Sequence, residues 1–122
     1  TIKGDEKLGN KIYAQLYSLS KRNKKTGAIK NIKISIDVTK NKTATAKNSA
    51  GKILGYKINI ISNITLKDAK TNDQILNKTF NYSVSYKVQD QYSETIKLEE
   101  KSVQNLINKT YQDLLIKISQ NI

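Results

Sequence analysis

The sequence lacks the residues on which most catalytic and metal-binding sites depend. Its 122 residues include no His and no Cys, so a Ser-His or Cys-His nucleophile pair and a zinc site built from those ligands are excluded. The ten acidic residues show no Asp-x-Asp motif and no calcium-loop spacing, and the five glycines are scattered singly. We therefore expect a protein that is not an enzyme and that holds no cofactor and no metal.

Methionine, proline and tryptophan are absent as well. Because the chain begins at Thr1 and contains no Met, we expect it to be a piece excised or processed from a longer polypeptide. Its apolar runs are far shorter than the ~20 residues that a membrane-spanning helix needs. The lack of Cys leaves the redox compartment open, since many periplasmic domains of this size form no disulfide.

Acidic residues are scarce relative to basic ones, and the imbalance is concentrated in one segment. The formal net charge is +12, and the segment from Lys21 to Lys57 contains eleven basic residues against the single acid Asp37. Such a cluster is typical of a surface that binds polyanions, whether nucleic acid, anionic lipid headgroups or a phosphorylated glycolipid. Codon drift in an AT-rich genome is the alternative explanation, because the chain is also rich in Ile and Asn and poor in Arg.

Hydrophobic periodicity predicts a helix at each end of the chain and three strands between them. Apolar spacings of four, four and three predict an amphipathic helix over about 5–20, and a similar stripe predicts a long helix over about 92–120. From residue 32 the period changes to two, which predicts strands over about 30–46, 53–67 and 75–89. The polar stretch from Lys21 to Gly27 is predicted to be a loop.

These elements predict a single domain over residues 1–122 with an α+β fold. The fold is a two-layer sandwich in the order α-β-β-β-α, in which two helices cover one face of a mostly antiparallel sheet of three to four strands. Four aromatic residues share the parity of the aliphatic core and are expected to lie beneath the helices: Tyr56, Phe80, Tyr82 and Tyr86. The opposite face of the sheet is predicted to carry Ser, Asn and Thr.

The third predicted strand and the residues that follow it resemble a known family. Residues 82–95 read Tyr-Ser-Val-Ser-Tyr-Lys-Val-Gln-Asp-Gln-Tyr-Ser-Glu-Thr and lead into an acid-rich helix start at 98–102, which resembles the C-terminal half of the LptE family. Residues 56–60 and 65–71 are similar to the strand and Leu-x-Asp turn of that family, and residues 8–16 resemble its first helix. The likeness is a pattern of elements that extends over nearly the whole chain.

This resemblance implies a lipopolysaccharide-assembly lipoprotein on the periplasmic face of the outer membrane. Proteins of this family plug the β-barrel translocon LptD and help to insert lipopolysaccharide, and a lipid on an N-terminal Cys anchors them in the inner leaflet. Both that Cys and an initial strand found in many members would precede Thr1. The resemblance also implies phosphate-binding basic residues near one end of the sheet, where ammonium groups pair with lipid phosphates. The candidates are Lys40, Lys42, Lys47 and Lys52.

Two other functions agree with part of the sequence. A basic nucleic-acid-binding α+β module would stack bases on exposed aromatic rings of its sheet. Because the aromatic residues of this chain are expected to be buried, no nucleic-acid partner is expected. A cystatin-like protease inhibitor shares the helix-on-sheet architecture, but the sequence contains no Gln-x-Val-x-Gly loop.

Overall fold

The computed structural model describes residues 1–22 and 32–121, with side chains over 1–18 and 32–120. It confirms the predicted α+β fold, with two helices on a four-stranded open sheet. Lys21 and Arg22, predicted to begin a loop, form the end of the first helix, and the remainder of that predicted loop and residues 30–31 of the predicted strand lie outside the described residues. The elements are β1 (Ile2–Gly4), α1 (Glu6–Arg22), β2 (Ile32–Lys47), β3 (Ile53–Asp68), β4 (Gln74–Lys87) and α2 (Tyr92–Asn121).

The strands lie in the sheet in the order in which they occur in the chain. β2, β3 and β4 form an antiparallel meander, while β1 is parallel to β2 at the edge. Residues paired across an antiparallel sheet place their side chains on the same face. The register Ile36↔Ile64 and Ile60↔Tyr82 therefore brings the even-numbered apolar positions of the three long strands onto one face.

The initial strand β1 was expected to lie before Thr1, and this expectation was wrong. β1 is only three residues long, and its Gly4 pairs with Val38. Gly4 adopts a φ of +74°, which glycine tolerates best, and a Cβ there would collide with the Val38 carbonyl oxygen. The chain then turns into α1, as the Asp5 amide donates a hydrogen bond to the same oxygen at 2.7 Å.

Both helices cover the apolar face of the sheet, as predicted. α1 packs on β1 and β2, and α2 packs on β4 and β3. Phe80 and Tyr86 are buried and Tyr56 and Tyr82 are partly buried against the core, which confirms the prediction for the aromatic residues. Leu54 departs from the expected alternation, because it is 45% exposed near the start of β3.

The two helices run side by side in the same direction. The Lys11 ammonium donates to Gln104 Oε1 at 3.2 Å, and the Gln15 amide donates to Asn108 Oδ1 at 3.4 Å. Equal steps of four residues along both helices fix this parallel arrangement, so both N-termini lie at the same end of the molecule. No helix in the described residues is long and apolar enough to cross a membrane.

Candidate functional site

The basic part of the predicted meander forms a projecting hairpin. We use the name hairpin end for residues 40–57, which comprise the last part of β2, the turn and the start of β3. β1 stops pairing at Val38, so β2 continues toward the turn with β3 as its only described strand neighbour. Every residue from 39 to 52 is exposed. The hairpin end contains five lysines and no acidic residue, so its positive charge is not neutralised within the hairpin.

The turn of the hairpin end has a defined conformation. The Asn48 side-chain oxygen accepts hydrogen bonds from the backbone amides of Ala50 and Lys52, both at 2.9 Å. The Lys52 carbonyl accepts a further bond from the Asn48 amide at 2.9 Å. Asn side chains stabilise turns in this way by replacing backbone hydrogen bonds. The turn therefore holds the backbone of Lys47 and Lys52, which flank it, close together.

The four lysines named from the sequence occupy two places rather than one. Lys47 and Lys52 flank the turn, and among the described residues neither ammonium has a hydrogen-bond or ion-pair partner. Lys42 lies five residues before Lys47 on β2, about 16 Å away at the usual rise of a strand. Lys40 pairs with the buried Ile60 and Lys42 with the buried Ile58, so both lysines lie on the face that the helices cover. Their role in lipid binding stays a prediction.

Lys42 is engaged in a network that joins β2, β4 and α2. Its ammonium lies 2.8 Å from Glu99 Oε1, and its side chain is 38% exposed while that of Glu99 is 16% exposed. The Tyr86 hydroxyl donates to the same Glu99 oxygen at 2.8 Å. The Lys42 ammonium also lies 4.4 Å from the centre of the Tyr56 ring, a cation–π contact. These contacts hold α2 against the base of the hairpin end.

The pKa values of the network follow from these contacts. Burial alone would raise the pKa of Glu99, but the hydrogen bonds from Lys42 and Tyr86 outweigh it and lower that pKa. The hydrogen bond to Glu99 raises the pKa of Lys42. Burial, followed by the bond to the negatively charged Glu99, raises the pKa of Tyr86 to about 12. Glu99 is therefore held ionised and Tyr86 neutral.

A second tyrosine, Tyr82, links the C-terminal half of α2 to β4. The Tyr82 hydroxyl donates a hydrogen bond to Asp113, and the Lys109 ammonium lies 4.8 Å from the centre of the Tyr82 ring. Burial and then the contact with Asp113 raise the pKa of Tyr82 to about 12. The tyrosines of β4 are thus structural: their rings cover the core and their hydroxyl groups hold α2.

A cleft between the two helices contains further lysines that the sequence analysis did not single out. The cleft has a volume of about 530 Å³ and lies above Lys40, between the first turns of α1 and residues 97–104 of α2. Lys7 and Lys11 line it from α1, and Lys97 and Lys101 line it from α2. The sequence could have indicated these lysines by their spacing. Each helix carries a pair of lysines four residues apart, and residues at that spacing lie on one helix face.

The uncovered face of the sheet is polar, as predicted. Besides Ser, Asn and Thr it carries charged side chains at Lys33, Asp37, Lys57, Lys67 and Lys87. The Asn63 amide donates to Asn77 Oδ1 at 3.1 Å and to Thr79 Oγ1 at 2.8 Å, and Ser83 donates to Asn59 at 2.6 Å. The described strands place no aromatic ring on this face. A nucleic-acid interface that stacks bases on the sheet therefore has no platform in the part of the chain that the structure describes.

Comparisons with known proteins find similarity in structure but not in sequence. No family model and no curated protein match the chain. Rare lipoprotein B from Shewanella oneidensis is similar with a TM-score of 0.66, at 8% identity over 98% of this chain and 92% of that one. A protein from Caulobacter crescentus described as a lipoprotein has a TM-score of 0.64, at 14% identity over 98% of this chain and 86% of that one. The chain therefore has the fold of rare lipoprotein B.

Proposed function

We propose that this chain is the periplasmic part of a lipopolysaccharide-assembly lipoprotein of the LptE type. Two observations support the proposal. The fold is that of rare lipoprotein B, a member of the LptE family, and the sequence resembles that family over residues 8–16, 56–60, 65–71, 82–95 and 98–102. The protein would act by binding, without turnover, as a plug of the LptD barrel on the periplasmic face of the outer membrane.

The assignment of lipopolysaccharide as the ligand rests on the positive charge of the hairpin end. Its five lysines are opposed by no acidic residue of the hairpin, and its exposed strands project beyond β1. Lipopolysaccharide presents clustered phosphates, which pair with ammonium groups through charge-assisted hydrogen bonds. Lys47 and Lys52 have no competing partner among the described residues, so we assign them the direct contacts. Lys42 contributes charge while it remains bound to Glu99.

The polar face of the sheet suits the proposed partner. The interior of an outer-membrane barrel is polar, and the Asn, Thr and Ser side chains of this face can form hydrogen bonds with such a wall. The lysines of the same face would need acidic partners there to offset the cost of burying their charge. In this proposal the protein is also anchored to the inner leaflet of the outer membrane by a lipid, as a lipoprotein is.

The ligand assignment is tested by removing the two lysines of the turn. We expect the double variant Lys47→Gln/Lys52→Gln to bind purified lipopolysaccharide about fivefold more weakly or worse, since two exposed ion pairs are lost. The matched control is Lys70→Gln/Lys78→Gln, which removes the same charge from exposed positions at the opposite end of the sheet. Equal loss of affinity in both variants would mean that net charge, and not the hairpin end, binds the lipid.

The partner assignment is tested separately. The full-length lipidated protein should bring down LptD from native outer membranes in a pull-down, and failure to do so refutes the plug role. The nucleic-acid alternative is favoured by the net charge of +12 alone. A single-stranded oligonucleotide that competes with lipopolysaccharide and quenches tyrosine fluorescence on binding would support that alternative.

A further inference from the structure

We propose that the cleft between α1 and α2 is a second binding site, distinct from the turn that carries Lys47 and Lys52, and that it takes a sugar phosphate. It shares only Lys40 with the hairpin end. The site has the size for such a ligand, because clefts that bind small molecules usually enclose about 300–1,000 Å³ and this one encloses about 530 Å³. Its walls come from two parallel helices, and Lys40 of β2 lines the side toward the hairpin. The hydrogen bond from Lys11 to Gln104 joins the walls.

The lysines of the cleft are available to an anion. Within the described part of the chain, Glu99 is the one residue lining the cleft that forms an ion pair shorter than 4.0 Å, and its partner is Lys42. The ammonium groups of Lys7, Lys40, Lys97 and Lys101 therefore have no carboxylate partner at that distance. Four lysines around one cleft favour a compact, highly charged group such as a phosphate, which accepts several charge-assisted hydrogen bonds at once.

The carboxylates of the cleft restrict what the rest of the ligand can be. Glu99 is occupied by Lys42 and Tyr86, and Asp5 accepts a hydrogen bond from the Leu8 amide at 3.1 Å as the cap of α1. Glu100 has no such partner among the described residues and remains able to accept hydrogen bonds. A free carboxylate repels a second anionic group but binds hydroxyl groups well. The lining therefore favours one phosphate with neutral hydroxyl groups beside it.

The apolar side chains of the cleft offer a surface for the C–H face of a sugar ring. Leu8 of α1 and Val103 of α2 line the cleft between the charged residues, and both are largely buried. A sugar ring presents hydroxyl groups at its edge and a C–H surface on its face, so it meets both kinds of surface. Inorganic phosphate would use only the lysines, and an uncharged sugar would use only Glu100 and the apolar patch.

The test is a titration of the whole 15N-labelled chain with glucose 6-phosphate, followed by NMR. We expect chemical-shift changes in the amides of residues 5–11 and 97–104, with weaker binding of inorganic phosphate and of glucose. The variant Lys7→Gln/Lys101→Gln should raise the Kd for glucose 6-phosphate about fivefold. Its matched control is Lys47→Gln/Lys52→Gln, which removes the same charge at the hairpin end and should leave that Kd unchanged.

Three outcomes would overturn the proposal. Chemical-shift changes confined to the hairpin end would show that the ligand binds there and not in the cleft. Equal effects of the two double variants would show that binding depends only on net charge. An affinity for inorganic phosphate equal to that for glucose 6-phosphate would show that the sugar contributes nothing. The variant Glu100→Gln adds a check in which the expected result is a gain of affinity. It should bind inorganic phosphate more tightly than the unmodified chain does, because the repelling carboxylate is gone.

The same variants identify the source of the sugar phosphate. If Lys7→Gln/Lys101→Gln weakens the binding of both glucose 6-phosphate and lipopolysaccharide, the cleft takes the headgroup of a phosphorylated glycolipid. If it weakens only glucose 6-phosphate, the cleft takes a free sugar phosphate. Failure of the hairpin-end assignment is distinguishable, since it appears as normal lipopolysaccharide affinity in Lys47→Gln/Lys52→Gln whatever the cleft does.

Discussion

The network around Glu99 allows a quantitative prediction about what holds α2 to the sheet. Tyr86 and Lys42 donate to the same carboxylate oxygen at the same distance of 2.8 Å, yet their environments differ. Tyr86 is 7% exposed, whereas the Lys42 side chain is 38% exposed. A buried hydrogen bond to a charged group contributes about 1.5–3 kcal/mol, while an exposed ion pair contributes only about 0.2–1 kcal/mol. Tyr86→Phe should therefore reduce the free energy of unfolding more than Lys42→Gln does.

A double-mutant cycle isolates the charged part of the Tyr86 contact. In the Glu99→Gln background the tyrosine still has an oxygen acceptor, but a neutral one, so the cost of Tyr86→Phe should fall to about 0.5–1.5 kcal/mol. Urea unfolding monitored by circular dichroism gives these free energies directly. A cost of Tyr86→Phe equal to or below that of Lys42→Gln, or one unchanged by Glu99→Gln, would refute the assignment of the tyrosine as the main contact.

The pH dependence provides a second readout of the same cycle. Because the pKa of Glu99 is lower in the folded state than its ordinary value of 4.5, its contribution to stability is fully present above that value. The contribution is lost as the pH falls from 4.5 through the folded-state pKa. The stability difference between the unmodified chain and Glu99→Gln should shrink over that acidic range, and a difference that stays constant there would contradict the lowered pKa.

Three further predictions concern the core and the tyrosines. Gly9→Ala places a Cβ 2.5 Å from Ile2 Cγ2, a clash that costs about 1–3 kcal/mol, while Ala is the better helix former within α1 by about 1 kcal/mol. We therefore expect a net loss of up to about 2 kcal/mol in urea unfolding, and a net gain would mean that β1 does not pack there. Ser62→Ala should leave stability unchanged or raise it by up to about 1 kcal/mol, because the Ser62 hydroxyl is fully buried and has no hydrogen-bond partner among the described residues. A clear loss of stability would contradict this reading. The phenol groups of Tyr82 and Tyr86 should ionise near pH 12 in an ultraviolet titration, and since their pKa values are raised from 10.0, stability should fall between pH 10 and 12.

The long elements could be predicted because their periodicity extends over many residues. The alternation in β2, β3 and β4 and the stripes of α1 and α2 each repeat several times. A single exception, such as the apolar Ile61 that pairs with Thr39 and Asn81 on the polar face, therefore does not obscure them. β1 could not be predicted in this way, since three residues contain no period. Its position depends on two glycines instead: Gly4 supplies the positive φ, and Gly9 leaves room for Ile2.

The site was less predictable than the fold. The parity of β2 already placed Lys40 and Lys42 in line with Ile36 and Val38, which signals the helix-covered face, but the sequence alone does not show which carboxylate meets a lysine there. Lys42 and Glu99 are brought together by the packing of α2, far apart along the chain. The cleft depends on the relative position of two helices, for which no local pattern exists.

The part of β2 that continues past β1 has a consequence for handling this protein. Its outer edge presents backbone amides and carbonyls to solvent, and such an edge invites another chain to add a strand. Lys40 and Lys42 lie along that margin, where like charges on two approaching copies repel each other. The variants Lys42→Gln and Lys47→Gln/Lys52→Gln each remove a lysine from β2 and so weaken a safeguard against self-association. Their oligomeric state therefore has to be checked before their stability or affinity is interpreted.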